Sequence, residues 1–296
     1  MSTNLSFQKR IHTLKESYDQ LEHGKESLLR ILDESEVPES VYNSNAIENS
    51  TLTLKETEKI LLEMEVSKDI SLREVFEAKN LARVIDYIRT KTQETSLSKE
   101  LITLLHQMLI GGIDDMIAGR FRQKGEYVRI GTHIAPAPEH VERMIEEILI
   151  DYSSNDSLYF LDKIAQFHLD FETIHPFNDG NGRIGRVLIN YQLMRSGYPP
   201  LIIRDKEKSV YYQAFRDYRE RKNTHAMEKV LLLGIFESLH KRIAYLQSLK
   251  IVALSEYSTQ QSRSIHTLLN AARRQSIPAF REKGVWKIGV TERDKF

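Results

Sequence analysis

Apolar residues recur at helical intervals along most of this chain, and that spacing commits it to packed helices. Leu14, Leu21, Leu28 and Leu32 mark one such face within 5–33. Val75, Ala78, Ala82, Ile85 and Ile88 mark another within 71–91, where Ser71 followed by Glu74 has the form of a capping box. Helices are predicted as well over 53–65, 98–110, 138–152, 158–174, 181–196, 209–221 and 224–249. One region breaks the pattern. Residues 127–134 read Tyr-Val-Arg-Ile-Gly-Thr-His-Ile between Gly125 and the prolines Pro136 and Pro138, which predicts a small β-hairpin. The expected class is mostly α with one hairpin.

Composition narrows the chemistry. The 296 residues include no cysteine, so disulfides, thiol catalysis and Cys-ligated zinc are excluded. Residues 1–30 hold no apolar stretch of the secretory kind, and the run 230–236 is far shorter than a membrane span. A soluble cytoplasmic protein with no membrane partner is the expectation. Formal charge is zero, from 42 basic and 42 acidic residues, but residues 250–296 carry nine Lys/Arg against four Asp/Glu. A basic end suits an acidic partner or nucleic acid, and equally a solvated face. His133, His140 and His168 have no zinc-ligand spacing, which argues against a metal hydrolase.

The densest chemistry lies in His175-Pro176-Phe177-Asn178-Asp179-Gly180-Asn181-Gly182-Arg183-Ile184-Gly185-Arg186. Helical patterns flank it, so it reads as a tight loop opening a helix. Pro176 disfavours helix at His175, and Gly180 and Gly182 allow a sharp turn close to a ligand. A helix start there points free N–H groups at the loop and makes an anion site. Arg183 and Arg186, three residues apart, suit a polyphosphate. Asp179 would repel phosphate unless a divalent cation lies between, and Mg²⁺ favours one or two carboxylates plus phosphate oxygens. His175 can act as a general base near neutral pH. A Gly/Asn-rich turn with surface ion pairs is the plain structural alternative for each feature taken singly.

This run resembles the motif of the Fic family, His-Pro-Phe-x-(Asp/Glu)-Gly-Asn-(Gly/Lys)-Arg-x-x-Arg, at every fixed position. The resemblance extends over about 40–250. It implies a helical core that transfers AMP from ATP to Ser, Thr or Tyr hydroxyls of a protein target. His175 would deprotonate the hydroxyl, and Asp179 would hold Mg²⁺. Gly180, Asn181, Gly182 and Arg183 would line the anion hole, and Arg186 would take the γ-phosphate. Phe177 would anchor the loop. The hairpin (Tyr127, Val128, Arg129, Ile130, Gly131, Thr132, His133) resembles the family's flap, which pairs with the target main chain. Gly119-Arg120-Phe121-Arg122 resembles a stretch leading to it, with no chemistry assigned.

Ser44-Asn45-Ala46-Ile47-Glu48-Asn49 resembles the family's inhibitory motif, (Ser/Thr)-x-x-x-Glu-(Gly/Asn). Ser44 and Glu48 would share one face of a short helix over 44–49, and Glu48 would pair with Arg186. In some relatives the same Glu supports AMP removal. The chain thus divides into an N-terminal helical region (1–40), the Fic-type core (41–250) and a module at 251–296. In that module a helix over 264–272, a basic turn at Arg273-Arg274 and strands around Trp286 resemble a winged helix, with DNA as a candidate partner. Relatives often form homodimers. Alternative readings are a de-AMPylase, a transferase of another nucleotide, and a DNA-binding regulator whose core senses nucleotide.

Overall fold

The computed structural model describes residues 3–67, 69–155 and 157–290. Its helices are α1 (Leu5–Glu22), α2 (Glu26–Ile47), α3 (Leu54–Glu58), α4 (Leu72–Lys91), α5 (Lys99–Ile110), α6 (Pro138–Ser154), α7 (Phe160–Ile174), α8 (Asn181–Arg195), α9 (Lys208–Arg221), α10 (His225–Leu246), α11 (Leu254–Gln260) and α12 (Ile265–Arg273). The strands are β1 (Arg129–Ile130), β2 (His133–Ile134), β3 (Lys250–Ala253), β4 (Ala279–Glu282) and β5 (Val285–Val290). The protein is mostly helical, as its periodicity predicts. No helix among the described residues is long and apolar enough to cross a membrane.

Two local differences from the sequence expectation have physical causes. The apolar pattern over 5–33 belongs to two helices, because Gly24 takes a left-handed φ of 73° and ends α1. The second helix then runs on to Ile47 with Pro38 inside it, so 44–49 is no separate short helix. Ser44 to Ile47 form the last turn of α2. Asn49 terminates it in the left-handed region (φ 68°), with Asn49 N–H on the Ala46 carbonyl and Ser50 N–H on the Asn45 carbonyl, both at 3.0 Å. That is a Schellman cap, and asparagine is among the few non-glycine residues that adopt it cheaply.

The chain forms two compact units. The first comprises 1–3, 37–197 and 202–230. Its core joins α4, α5, α7 and α8 through Leu81, Ile102, Leu105, Phe171, Phe177, Ile184 and Leu188, all essentially inaccessible. Ser71 and Ser98 cap α4 and α5 by accepting from the N–H groups of Glu74 and Leu101. The second unit comprises 4–36, 198–201 and 231–296. An antiparallel sheet of order β3-β5-β4 covers a small core of Val252, Leu254, Leu268, Ala272 and Ile288. The segment from 251 thus shares its compact unit with 4–36 and the residues of α10 from 231. Within this unit Arg242 is 1% exposed and donates to Asp33 and Glu36 at 2.6 and 2.7 Å, which compensates a buried charge.

Candidate active site

Helix α7 ends in the residue that the sequence marks as a base. His175 takes φ 51°, donates its N–H to the Phe171 carbonyl, and turns the chain out of the helix ahead of Pro176. Phe177 is fully buried and stacks on His106 of α5, with ring centroids 3.7 Å apart. Asn181 closes the loop by accepting from Phe177 N–H (2.9 Å) and donating to its carbonyl (2.8 Å). Its side chain therefore faces the loop, and what it offers a ligand is its backbone. Gly180, at φ 82°, starts α8 without any side-chain cap. The N–H groups of Asn181, Gly182 and Arg183 consequently have no partner in the helix's own ladder. An uncapped N-terminus pointing into a loop is an anion site.

Two residues that sequence reasoning left without a role hold this loop. Arg122 is 3% exposed, and its guanidinium donates to the carbonyls of His175 (2.8 Å), Glu126 (2.9 Å), Pro136 (3.0 Å) and Ile174 (3.2 Å). It ties the catalytic-type turn to both ends of the hairpin segment. His106 accepts from Gly119 N–H at Nδ1, so its Nε2 donates to the Asp179 carbonyl at 3.0 Å. Burial pushes its pKa down to about 4, so it stays neutral. The Gly-Arg-Phe-Arg string carried the signal for Arg122. Nothing in sequence marked His106.

The charged groups divide into two sets around the start of α8. Arg183 reaches Asp179 (3.0 Å) and Glu77 of α4 (3.3 Å). Asp179 also accepts from Gly180 N–H (2.6 Å) and from the exposed Arg73 (2.7 Å). Burial opposes ionisation of Asp179, but Arg183, the Gly180 N–H and Arg73 outweigh it and hold the carboxyl below its ordinary value. Arg186 turns instead to the end of α2. It donates to Ser44 Oγ (2.9 Å), the Ser44 carbonyl (2.8 Å) and Glu48 Oε1 (2.9 Å). Glu48 also covers Gly182, since a Cβ there would lie 2.1 Å from Glu48 Oε1. Asn49, having capped α2, accepts from Lys208 Nζ at 2.8 Å. Buried polar atoms without a partner gather here: Arg186 Nη1, Arg183 Nε, His175 Nδ1 and Glu172 Oε1.

The hairpin is shorter than its sequence pattern. Arg129 faces Ile134 and Ile130 faces His133, around a turn at Gly131-Thr132. Ala135 N–H on the Val128 carbonyl extends the pairing. His133 Nε2 lies 3.0 Å from the Thr173 carbonyl, which seats the hairpin beside the end of α7. Tyr127 is exposed.

Residues 96–193 match the model of the Fic/DOC family. The chain is 32% identical over 210 residues to a protein adenylyltransferase Fic of Drosophila mojavensis, covering 69% of this chain and 41% of that protein. It is 30% identical over 291 residues to one of Drosophila sechellia, covering 94% and 58%. It therefore spans about half the length of these relatives. Among solved structures it resembles a Fic domain containing signaling protein from Bacteroides thetaiotaomicron (TM-score 0.73, 25% identity, 80% of this chain and 97% of that chain). It also resembles Fic-1 (residues 134–508) from C. elegans (TM-score 0.68, 25% identity, 82% and 70%). Motif, fold and relatives agree, and the chain belongs to the Fic family.

Proposed function

We propose that this chain is a protein adenylyltransferase that moves AMP from ATP to a Ser, Thr or Tyr hydroxyl of a protein target. The observation that carries the reading is the uncapped start of α8, with Arg183 and Arg186 on its first turns and His175 fixed at the end of α7. Free N–H groups and guanidiniums neutralise phosphate, and transfer needs positioning and charge stabilisation above all. The target hydroxyl oxygen attacks the α-phosphorus as its proton passes to His175, and the bond to the β-phosphate oxygen breaks to release pyrophosphate. Gly180, Asn181, Gly182 and Arg183 hold the phosphates from the helix start, and Arg186 takes the γ-phosphate. The edge of the hairpin 127–133 aligns the target main chain by strand pairing.

The donor set fits Mg²⁺ only together with nucleotide. Among the described residues no three His, Asp or Glu gather as a cage, and Asp179 shares Arg183 and Arg73 with Glu77. Mg²⁺ accepts such a set when phosphate oxygens complete it. Asp179 would hold the ion, which would neutralise phosphate charge. Glu48 opposes the reaction as the protein stands: it occupies Arg186 and overlies Gly182, where the phosphates would lie.

We further propose that the end of the chain contacts DNA. The order α10, β3, α11, α12, β4, β5 with sheet order β3-β5-β4 supports reading this end as a winged helix. The exposed face of α12 and its end carries His266, Thr267, Asn270, Arg273 and Arg274. Retention on DNA that falls steeply with salt supports this; no retention at low salt refutes it.

The test of the main proposal is mass spectrometry of a lysate incubated with the Glu48→Gly variant, ATP and Mg²⁺. An AMP adduct on a hydroxyl side chain is expected. A different adduct shows another donor chemistry, and no adduct overturns the proposal.

A further inference from the structure

We infer that Glu172 is a positioning residue for His175, fixing the imidazole with its proton on Nδ1 and its Nε2 lone pair free for the incoming hydroxyl. The inference rests on the proposed role of His175 as the base. Glu172 sits on the last turn of α7, three residues before His175, with Oε2 3.6 Å from Nδ1. Both side chains are largely buried, and His175 Nδ1 and Glu172 Oε1 have no hydrogen-bond partner. Oε2 stands just beyond hydrogen-bond length from Nδ1, and a buried carboxylate gains from a close donor, so one short movement closes the pair. Hydrogen bonds of catalytic groups are often long before substrate binds.

His175 Nδ1 stands 3.6 Å from Glu172 Oε2, and His168 Nδ1 and Arg186 Nη1 are further buried atoms without a partner around this carboxylate. On α7, His168 is fully buried, its Nε2 lies 2.7 Å from Tyr211 Oη, and burial pushes its pKa down to about 4. It is a neutral neighbour. On α8, Arg186 gives Nε and Nη2 to Ser44 and Glu48 and keeps only Nη1 without a partner. From α9, Tyr211, Tyr212 and Arg219 feel the Glu172 charge, and Arg122 reaches only the backbone carbonyl of His175. Burial opposes ionisation of Glu172, but the pairing with His175 and the Arg186 charge outweigh it and hold the carboxyl below its ordinary value. Helix α8 makes room for it. A Cβ on Gly185 would lie 2.6 Å from Glu172 Oε1 and 2.7 Å from His168 Cε1. A mid-helix glycine weakens a helix relative to alanine, and here it admits the carboxylate.

The backbone of His175 is already fixed by the Phe171 carbonyl and Arg122, so ring rotation is the freedom left to control. With Glu172 on Nδ1–H, the hydroxyl proton passes to Nε2, and the imidazolium so formed is stabilised by the carboxylate. No proton moves to Glu172.

The experiment compares wild type and Glu172→Gln as full chains, with ¹⁵N-histidine NMR of His175 and with kcat and KM for ATP in the Glu48→Gly background. In wild type, the neutral ring should carry its proton on Nδ1. In Glu172→Gln, the two tautomers should mix, kcat should fall at least about tenfold, and KM for ATP should hold within about twofold. A purely structural role would leave the tautomer unchanged. If Glu172→Gln does not fold, Glu172→Asp, whose carboxylate withdraws by one methylene, should mix the tautomers in the same direction. An unchanged His175 tautomer in the folded variant overturns the inference. Absence of AMP transfer in every variant would instead refute the proposed activity, while the NMR still decides the pairing.

Discussion

Arg186 Nη2 donates to Glu48 Oε1 at 2.9 Å, joining residues 138 positions apart in the chain. The same guanidinium holds Ser44 through Oγ and carbonyl, so the last turn of α2 fills most of the fork. Burial alone would lower the Arg186 pKa, but the Glu48 charge and hydrogen bond raise it above its ordinary value. Glu48 itself is partly exposed, at 36%, whereas Arg186 is 7% exposed. Ser44 thus holds the guanidinium from the buried side and Glu48 from the exposed side.

Asn49 sets where Glu48 points. Replacing it with Gly keeps the left-handed cap, so basal AMP transfer and stability should stay within about twofold and a few tenths of a kcal/mol. Asn49→Val places a β-branched residue at φ 68° and should cost about 1–2 kcal/mol while raising basal transfer. Urea denaturation and a transfer assay on both variants check this. Equal behaviour of Gly and Val would remove the cap from the account.

Arg122 should be the most costly single truncation near the site. Arg122→Ala leaves four carbonyls short of a donor, among them those of Ile174 and His175. We expect a loss of about 2–4 kcal/mol in urea denaturation. In the Glu48→Gly background, kcat should fall even under conditions where the variant is folded. A stable variant of full activity would contradict the role.

Much of this was legible in sequence, and the limits are instructive. The motif 175–186 was readable because its chemistry is contiguous. Glu48 and Arg186 were readable as a pair through a family pattern, since no local rule links residues 138 apart. The helix end that sets Glu48 was misjudged. Pro38 and the polar run before it hid a helix that tertiary contacts sustain, as where Arg204 pairs with the buried Glu39. His106 was invisible because its partners, the Gly119 N–H and the Asp179 carbonyl, are backbone atoms brought in by folding. Arg122 was seen in a string and given no work, for the same reason. Gly185 read as a weak helix position until the carboxylate beside it was located.

Stability should fall with acid from near-neutral pH. His106, His168 and His240 are buried, and burial is the largest cause of pKa values near 4 in all three. Between about pH 4 and pH 6.5 the unfolded chain binds protons that the folded chain refuses. The histidines therefore leave stability intact above about pH 6.5 and withdraw it as pH falls toward 4, each on the order of 3 kcal/mol over that whole range. Urea midpoints from pH 7.5 to pH 5 should drop steadily. A flat profile would contradict these burial-driven shifts.

Arg73 should compete with a cation for Asp179. It is 59% exposed and donates to Oδ2. A pair this exposed is worth at most about 1 kcal/mol, so Arg73→Ala should lower the half-saturating Mg²⁺ concentration in the presence of ATP by a few-fold and no more. Calorimetric Mg²⁺ titration reads this directly. A higher Mg²⁺ requirement would show that Arg73 helps to bind nucleotide.

AMP transfer at the α8 start and its restraint by Glu48 are separable with labelled nucleotide. The most direct measurement uses ATP labelled at the α- or the γ-phosphate, with wild type, Glu48→Gly, and Glu48→Gly combined with His175→Ala, each added to lysate. Protein labelling is expected from α-labelled ATP alone, weak in wild type, at least about tenfold stronger in Glu48→Gly, and lost in the double variant. Labelling from the γ-phosphate, equal labelling by wild type and Glu48→Gly, or full labelling without His175 would contradict it.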